Sequence, residues 1–250
     1  MKRTARAPSY ELVYWPGLQG RGEFVRLAFE AAGVPYLDLA QVPESRGGGS
    51  RAVLALQRSR GPALPPLGPP ALRCGRFVIP QTAAILHWLG PRLGLVPRDE
   101  ASRTRANAIQ LTVADLVAEA HDVHHPISGS LYYEDQREEA ARRAAFFRRE
   151  RIPLYLGWLD RALGANRAGR GRWLVGRVLS YPDLSAFQVV AGLRYAFPRA
   201  MRRVERRVPG VVALHERVAA LPRIAAYLAS ERRIPFNEGG IFRHYPELDG

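Results

Sequence analysis

The chain reads as an α/β domain over residues 8–92 followed by an all-helical domain over residues 99–250. Three patterns carry that reading. Residues 10–39 run strand, helix, strand, and residues 71–89 run strand, turn, strand, helix. Beyond Ser102 the apolar residues recur at helical spacing and little reads as strand.

Tyr10 to Tyr14 alternates, with Tyr10, Leu12 and Tyr14 on one face. Residues 15–20 form a loop. From Gly22 to Ala32, Phe24, Leu27, Ala28 and Ala31 fall on one helical stripe, and Gly33 ends the helix. Val34–Leu39 is expected as a second strand, parallel to the first through a right-handed crossover. Gly47–Gly49 is a flexible joint, and Arg51–Gln57 suits a short helix. Five prolines between Pro62 and Pro70 forbid regular structure there. Ala71–Arg73 and Phe77–Ile79 flank a turn at Gly75. A helix then runs from Thr82 to about Leu89, with the Thr82 hydroxyl where a helix start wants one. The order is βαβ-α-ββα. After a Gly/Pro linker over 90–99, helices are expected at Ser102–His124, Asp135–Leu163, Pro182–Tyr195 and Val211–Ser230, the second kinked by Pro153. Ser180-Tyr181-Pro182-Asp183 is close to a capping box, with Asp in place of Glu.

Composition narrows the function classes. An apolar fraction of 47% supports full cores. The net charge of +14 first suggests nucleic acid or membrane, but Lys2 is the only lysine, so 36 of the 37 basic residues are arginine. Coding bias explains such a skew, and many of the arginines sit on solvated helix faces beside Glu. The pairs Arg202-Arg203 and Arg206-Arg207 lack interleaved aromatics, so no nucleic-acid partner is expected. No run approaches the ~18 apolar residues of a membrane span. The first nine residues are polar and basic, without the apolar segment of a secretory signal. With Cys74 as the lone cysteine, a soluble cytoplasmic protein with a frayed N-terminus and no membrane partner is expected. His121 and His125 lie one helical turn apart near His124 and Glu119, a spacing that can bind metal. A histidine-rich helix end before Pro126 is the plainer alternative, and no metal site is assigned.

Together these pieces resemble the cytosolic glutathione transferases, over nearly the whole length. Tyr10-Glu11-Leu12-Val13-Tyr14-Trp15 followed by Gly20-Arg21-Gly22-Glu23 is similar to the first strand and helix start of the tyrosine-type classes (alpha, pi, sigma). Pro69-Pro70-Ala71-Leu72 is similar to their Val-Pro-x-Leu segment, whose proline is cis, and Gln81-Thr82 matches their Gln-Ser pair. Trp173-Leu174-Val175-Gly176 with Ser180 and Asp183 looks like their buried capping motif. The composition suggests a bacterial member. Three features depart: the loop from Tyr14 to Arg21 is one residue longer, Gly47–Gly49 lacks a match to the segment gripping the glycine end of glutathione, and the tail from Phe236 extends past the usual bundle.

The resemblance implies a thioredoxin-like N-terminal domain with a mixed four-stranded sheet and an all-α C-terminal bundle. It implies glutathione as cosubstrate, a hydrophobic electrophile and a homodimer. Tyr14 is the expected catalytic residue, donating its hydroxyl to the glutathione sulfur. A free thiol near pKa ~8.5 is only a few per cent thiolate at neutral pH. A hydrogen bond to a charged sulfur, worth roughly 1.5–3 kcal/mol, lowers that pKa by roughly one to two units. Gln81 and Thr82 are expected to bind the γ-glutamyl end at the helix start. Pro69 and Pro70 present backbone to the cysteinyl amide, and Asp115 reaches across the dimer to the glutamyl amine. Arg21 is structural and adds positive charge near the thiolate. Two other readings stay open: a protein of this fold that binds glutathione or an apolar ligand without turnover, and a glutathione-dependent peroxidase.

Overall fold

A computed structural model describes residues 10–59, 61 and 63–250. The readings of residues 1–9 and of Pro62 lie outside them. The N-terminal half is a four-stranded sheet of β1 (Tyr10–Val13), β2 (Leu37–Asp38), β3 (Ala71–Cys74) and β4 (Phe77–Pro80), in the order β2-β1-β3-β4. β1 pairs parallel with β2 and antiparallel with β3, and β3 with β4 is antiparallel. Helices α1 (Gly22–Ala32), α2 (Gly49–Gln57) and α3 (Thr82–Leu89) pack on this sheet. One face buries Leu12, Leu72 and Ile79 against Val25, Phe29 and Ile85, and the other buries Val13 and Ala71 against Val53 and Leu56. This is the expected mixed sheet of a thioredoxin-like unit.

The second strand is shorter than expected. Only Leu37 and Asp38 pair, because the Asp38 carboxylate accepts from the Ala40 N–H at 3.1 Å and turns the chain into a 3-10 turn over Leu39–Gln41. Gly33 ends α1 in the left-handed region at φ 66°, as a glycine stop should.

The C-terminal half is all helical: α4 (Glu100–Asp122), α5 (Arg137–Phe146), α6 (Ile152–Ala165), α7 (Tyr181–Ala196), α8 (Pro198–Val204), α9 (Pro209–Ala219), α10 (Pro222–Leu228) and α11 (Pro246–Asp249). The kink expected at Pro153 is a π-helical stretch over Phe147–Arg151, ending where proline enters the first turn of α6. The helix expected over 211–230 is two, because Pro222 opens a new helix with its own first turn. At the start of α7 the Asp183 carboxylate accepts from the Ser180 N–H (2.7 Å), the Ser180 hydroxyl (2.6 Å) and the Leu174 N–H (2.7 Å). Ser180 and Asp183 are fully buried, so the capping box is an internal clasp between α7 and the segment before it.

The halves share one core. Phe24, Leu27 and Ala28 of α1 and Leu86 of α3 belong to the same cluster as Val113, Leu116, Tyr181, Leu184 and Ile224. Burying an aliphatic or Phe side chain contributes ~1.5–3 kcal/mol, so this seam holds α3 and α4 in fixed relation around the groove described next.

Candidate active site

Tyr14 follows the last residue of β1, where the chain leaves the sheet for α1. Its ring is held between two glycines. A Cβ on Gly20 would lie 2.1 Å from the Tyr14 hydroxyl, and one on Gly22 2.7 Å from the ring. Gly20 also has φ 44°, so both space and backbone require glycine there. The hydroxyl accepts a hydrogen bond from the Arg21 N–H at 2.8 Å, which leaves its own proton free to be donated. Burial pushes the phenol pKa up, against the Arg21 N–H and the charges of Arg21 and Arg26. The group is therefore a neutral donor at pH 7.

Arg21 joins Tyr14 to the helix start. While its N–H donates to Tyr14, its carbonyl accepts from the Thr82 hydroxyl at 3.4 Å. Thr82 thus does not cap α3. The cap position is Gln81, at φ 70°, and no side chain bonds the first-turn N–H groups. Those donors remain available to an anion.

Beside this junction lies a cavity of about 300 Å³ between α1, α3 and α4. Arg21, Gln81, Thr82 and Gln110 are its polar lining; Phe24, Val113 and Val117 are among its apolar lining. The sequence-expected residues are brought together only in part. Gln81 and Thr82 line the cavity; Tyr14 does not, being 5% exposed and bonded to the backbone N–H of the lining Arg21. The Pro69–Pro70 bond is cis, as the resemblance implied, and Pro70 is buried at the start of β3. Asp115 is exposed on α4, next to the cavity-lining Ala114, and has no ion pair among the described residues.

A buried polar network, which single residues did not announce, fixes the loop after Tyr14. Glu23 is wholly buried and accepts from Arg26 (3.2 Å), from the Tyr227 hydroxyl (2.7 Å) and from Arg233. Arg26 also binds Asp38 at 2.7 Å and the carbonyl oxygens of Leu18 and Gln19. Gln188 of α7 donates to Gln19 at 2.8 Å. The only sequence signal was charge at helical positions that should be apolar: Glu23 and Arg26 fall on the inner face of α1.

The tail closes over the same loop. Gln19 donates to the Ile234 carbonyl, and Asn237 donates to the Gly17 carbonyl at 2.8 Å. The His124 Nε2–H donates to the Ile241 carbonyl at 2.8 Å, and burial pushes the His124 pKa down to about 3. The three histidine rings lie 4.8 to 5.3 Å apart. No group of three His, Cys, Asp or Glu among the described residues is arranged to hold a metal ion. His124 is a neutral strut for the tail.

Residues 121–231 match the family described as Glutathione S-transferase, C-terminal domain. Glutathione S-transferase 1 of Ascaris suum is 25% identical over 236 residues, covering 92% of this chain and all of that protein. The hematopoietic prostaglandin D synthase of Gallus gallus is 25% identical over 227 residues, 88% of this chain and 96% of its own. Among solved structures, a Pi-class glutathione S-transferase of Onchocerca volvulus superposes with a TM-score of 0.69 at 19% identity, covering 92% of this chain and 98% of that one. These relatives are eukaryotic, so the bacterial source read from composition gains nothing from them. By its matched helical domain, its relatives aligned over nearly the full length and its shared fold, the chain is similar to the glutathione S-transferases.

Proposed function

We propose that the protein conjugates glutathione to hydrophobic electrophiles, with Tyr14 holding the sulfur as thiolate. One observation carries this: a buried, neutral phenol whose oxygen is already engaged by the Arg21 N–H, so that its proton is left for an incoming acceptor. The sulfur loses its proton to water and attacks the electrophilic carbon. In an aryl halide the carbon–halogen bond then breaks and halide leaves. Donation from a neutral phenol to the anion, worth roughly 1.5–3 kcal/mol, favours the thiolate over the thiol.

In this reading Gln81 and the free first-turn N–H groups of α3 take the γ-glutamyl carboxylate, with Thr82 beside them. Pro69 and Pro70 set the backbone of β3 for the cysteinyl amide. Asp115, exposed at the rim, serves the glutamyl amine of a second subunit, so the working form is a homodimer. The apolar wall of Phe24, Val113 and Val117 receives the electrophile. The division into units 8–92 and 99–250 and a cytoplasmic location belong to the same proposal. No helix among the described residues is long and apolar enough to cross a membrane.

Tyr14→Phe tests it. Glutathione binding should persist, turnover of a generic aryl halide should fall ~10- to 100-fold, and the thiolate absorbance of bound glutathione should shift to higher pH by roughly one to two units. Unchanged turnover removes Tyr14 from the mechanism. A second reading, ligand binding without turnover, is favoured by the low exposure of Tyr14 and by a tail that bonds the Gly17–Gly20 loop. The relatives' differing names agree that family alone does not fix the reaction. Retention on immobilised glutathione with no activity over an electrophile panel, cumene hydroperoxide included, selects it.

A further inference from the structure

The segment joining α6 to α7 holds a second cavity, remote in sequence from Tyr14 and from α3. It has a volume of about 600 Å³, and Arg167, Arg170, Arg172, Arg177 and Trp173 line it. All four arginines come from one stretch, Arg167-Ala168-Gly169-Arg170-Gly171-Arg172-Trp173-Leu174-Val175-Gly176-Arg177, and all are exposed. A fifth, Arg217 of α9, lies over the Trp173 ring at 5.5 Å and donates to the Arg172 carbonyl at 2.8 Å. Like charges gathered this way repel, and burial together with the charge of Arg172 holds the Arg217 pKa below its ordinary value.

Several arginines elsewhere are paired, although among the described residues Arg202, Arg203, Arg206 and Arg207 are not. Arg26, Arg151 and Arg194 meet carboxylates at 2.6 to 2.7 Å, and Arg232 and Arg233 meet Glu30 and Glu23. Among the described residues, Arg167, Arg170, Arg172 and Arg177 have no carboxylate within 4.0 Å. The backbone is nonetheless fixed. The Asn166 amide donates to the Trp173 and Gly176 carbonyls, both at 2.8 Å, and the Arg172 N–H donates to Gly169 at 2.9 Å. Arg170 sits at φ 51°, in the left-handed region that favours glycine. A side chain kept in such a conformation, in a rigid loop, beside unpaired like charges and a cavity, is the pattern expected of a binding site.

The geometry points to a site for a small polyphosphate, a ligand of the size and charge of a triphosphate. Guanidinium forks match phosphate oxygens in bidentate pairs, and several phosphates are needed to answer four such groups. The volume falls in the small-ligand range of ~300–1,000 Å³. A concave pocket of that size suits a compact anion better than a nucleic-acid duplex, which needs an extended basic stripe. The site stands independently of the glutathione reading.

Calorimetry of the full chain with inorganic tripolyphosphate tests it, with ATP and a short DNA duplex in parallel. Tripolyphosphate should bind at one per chain. Arg170→Gly with Arg172→Gln should weaken it by at least ~10-fold; glycine adopts the backbone at 170 without strain, so the loop keeps its shape. Arg202→Gln with Arg203→Gln removes the same charge from α8 and should change affinity by less than about twofold, as a remote pair does under screening. Arg177→Gln alone, expected to weaken binding about fivefold, serves if the double variant does not fold. Tighter binding of ATP assigns the site to nucleotides; equal binding assigns it to the phosphate chain. Equal losses in the cavity and α8 variants, several tripolyphosphates per chain, no binding, or tighter binding of the duplex each overturn the proposal.

Discussion

Asp183→Asn probes a competition inside the capping box. The wild-type carboxylate accepts three hydrogen bonds in a wholly buried setting. Asparagine keeps the shape and one acceptor oxygen, but turns an N–H pair toward the Ser180 N–H. One buried donor is then orphaned, at about 1–3 kcal/mol. Charge adds a pH dependence. Burial pushes the Asp183 carboxyl up to about 7, and the bonds from Ser180 and Leu174 only partly offset it. In the unfolded chain the carboxyl titrates near ~3.9. A folded-state pKa above the unfolded value means that the native state binds the extra proton. The carboxyl's contribution is therefore fully present below about pH 4 and is lost as pH rises toward 7. At ~1.4 kcal/mol per unit the change across this window is on the order of a few kcal/mol. Urea unfolding of wild type and Asp183→Asn from pH 4 to pH 8 isolates the effect, since other titrating groups cancel in the difference. The wild-type advantage should shrink as pH rises and level off above neutrality. An advantage that grows with pH would show instead that the three donors outweigh burial and hold the carboxyl below its unfolded value.

Two more perturbations bear on the loop beside Tyr14. Gly20→Ala places a Cβ 2.1 Å from the Tyr14 hydroxyl at a positive φ, so it should destabilise by roughly 1–3 kcal/mol and lower turnover even where the fold survives; an aryl halide assay beside a thermal melt separates the two effects. Arg26→Met strips the buried partner from Glu23 and Asp38, and should cost ~3–5 kcal/mol in urea unfolding, whereas loss of a surface arginine costs under ~1 kcal/mol.

Much of the frame was legible because local chemistry and tertiary structure agree there. Gly33 stops a helix wherever the helix packs, and Ser180 with Asp183 caps one whether exposed or buried. The two apolar runs about Gly75 mark the hairpin, and the helix after it begins at Thr82 as its periodicity predicts. What misled was apolar character without pairing. Val34 and Tyr36 alternate like a strand, yet they serve the α1 side of the sheet, where Tyr36 stacks on Phe29 at 4.7 Å. The break at Pro222 and the short α8 and α11 were hidden inside or after continuous helical periodicity. For the site, Gln81 and Thr82 are neighbours in sequence and line one cavity, while the role of Thr82 toward Arg21 was not readable: it depends on two peptides meeting across 61 residues of sequence. The Glu23 network was invisible for the same reason, since its partners Tyr227 and Arg233 come from the far end of the chain.

That long-range closure has a consequence for biosynthesis. The stretch from Gly17 to Gln19 is made well before Ile234 and Asn237, which clasp it from 215 and 220 residues further along the chain. A nascent chain can lay down its sheet and several helices and still lack the lock on its earliest loop. The lock therefore closes only after Asn237 has been made, and a chain that stops before Ile234 lacks both of its bonds.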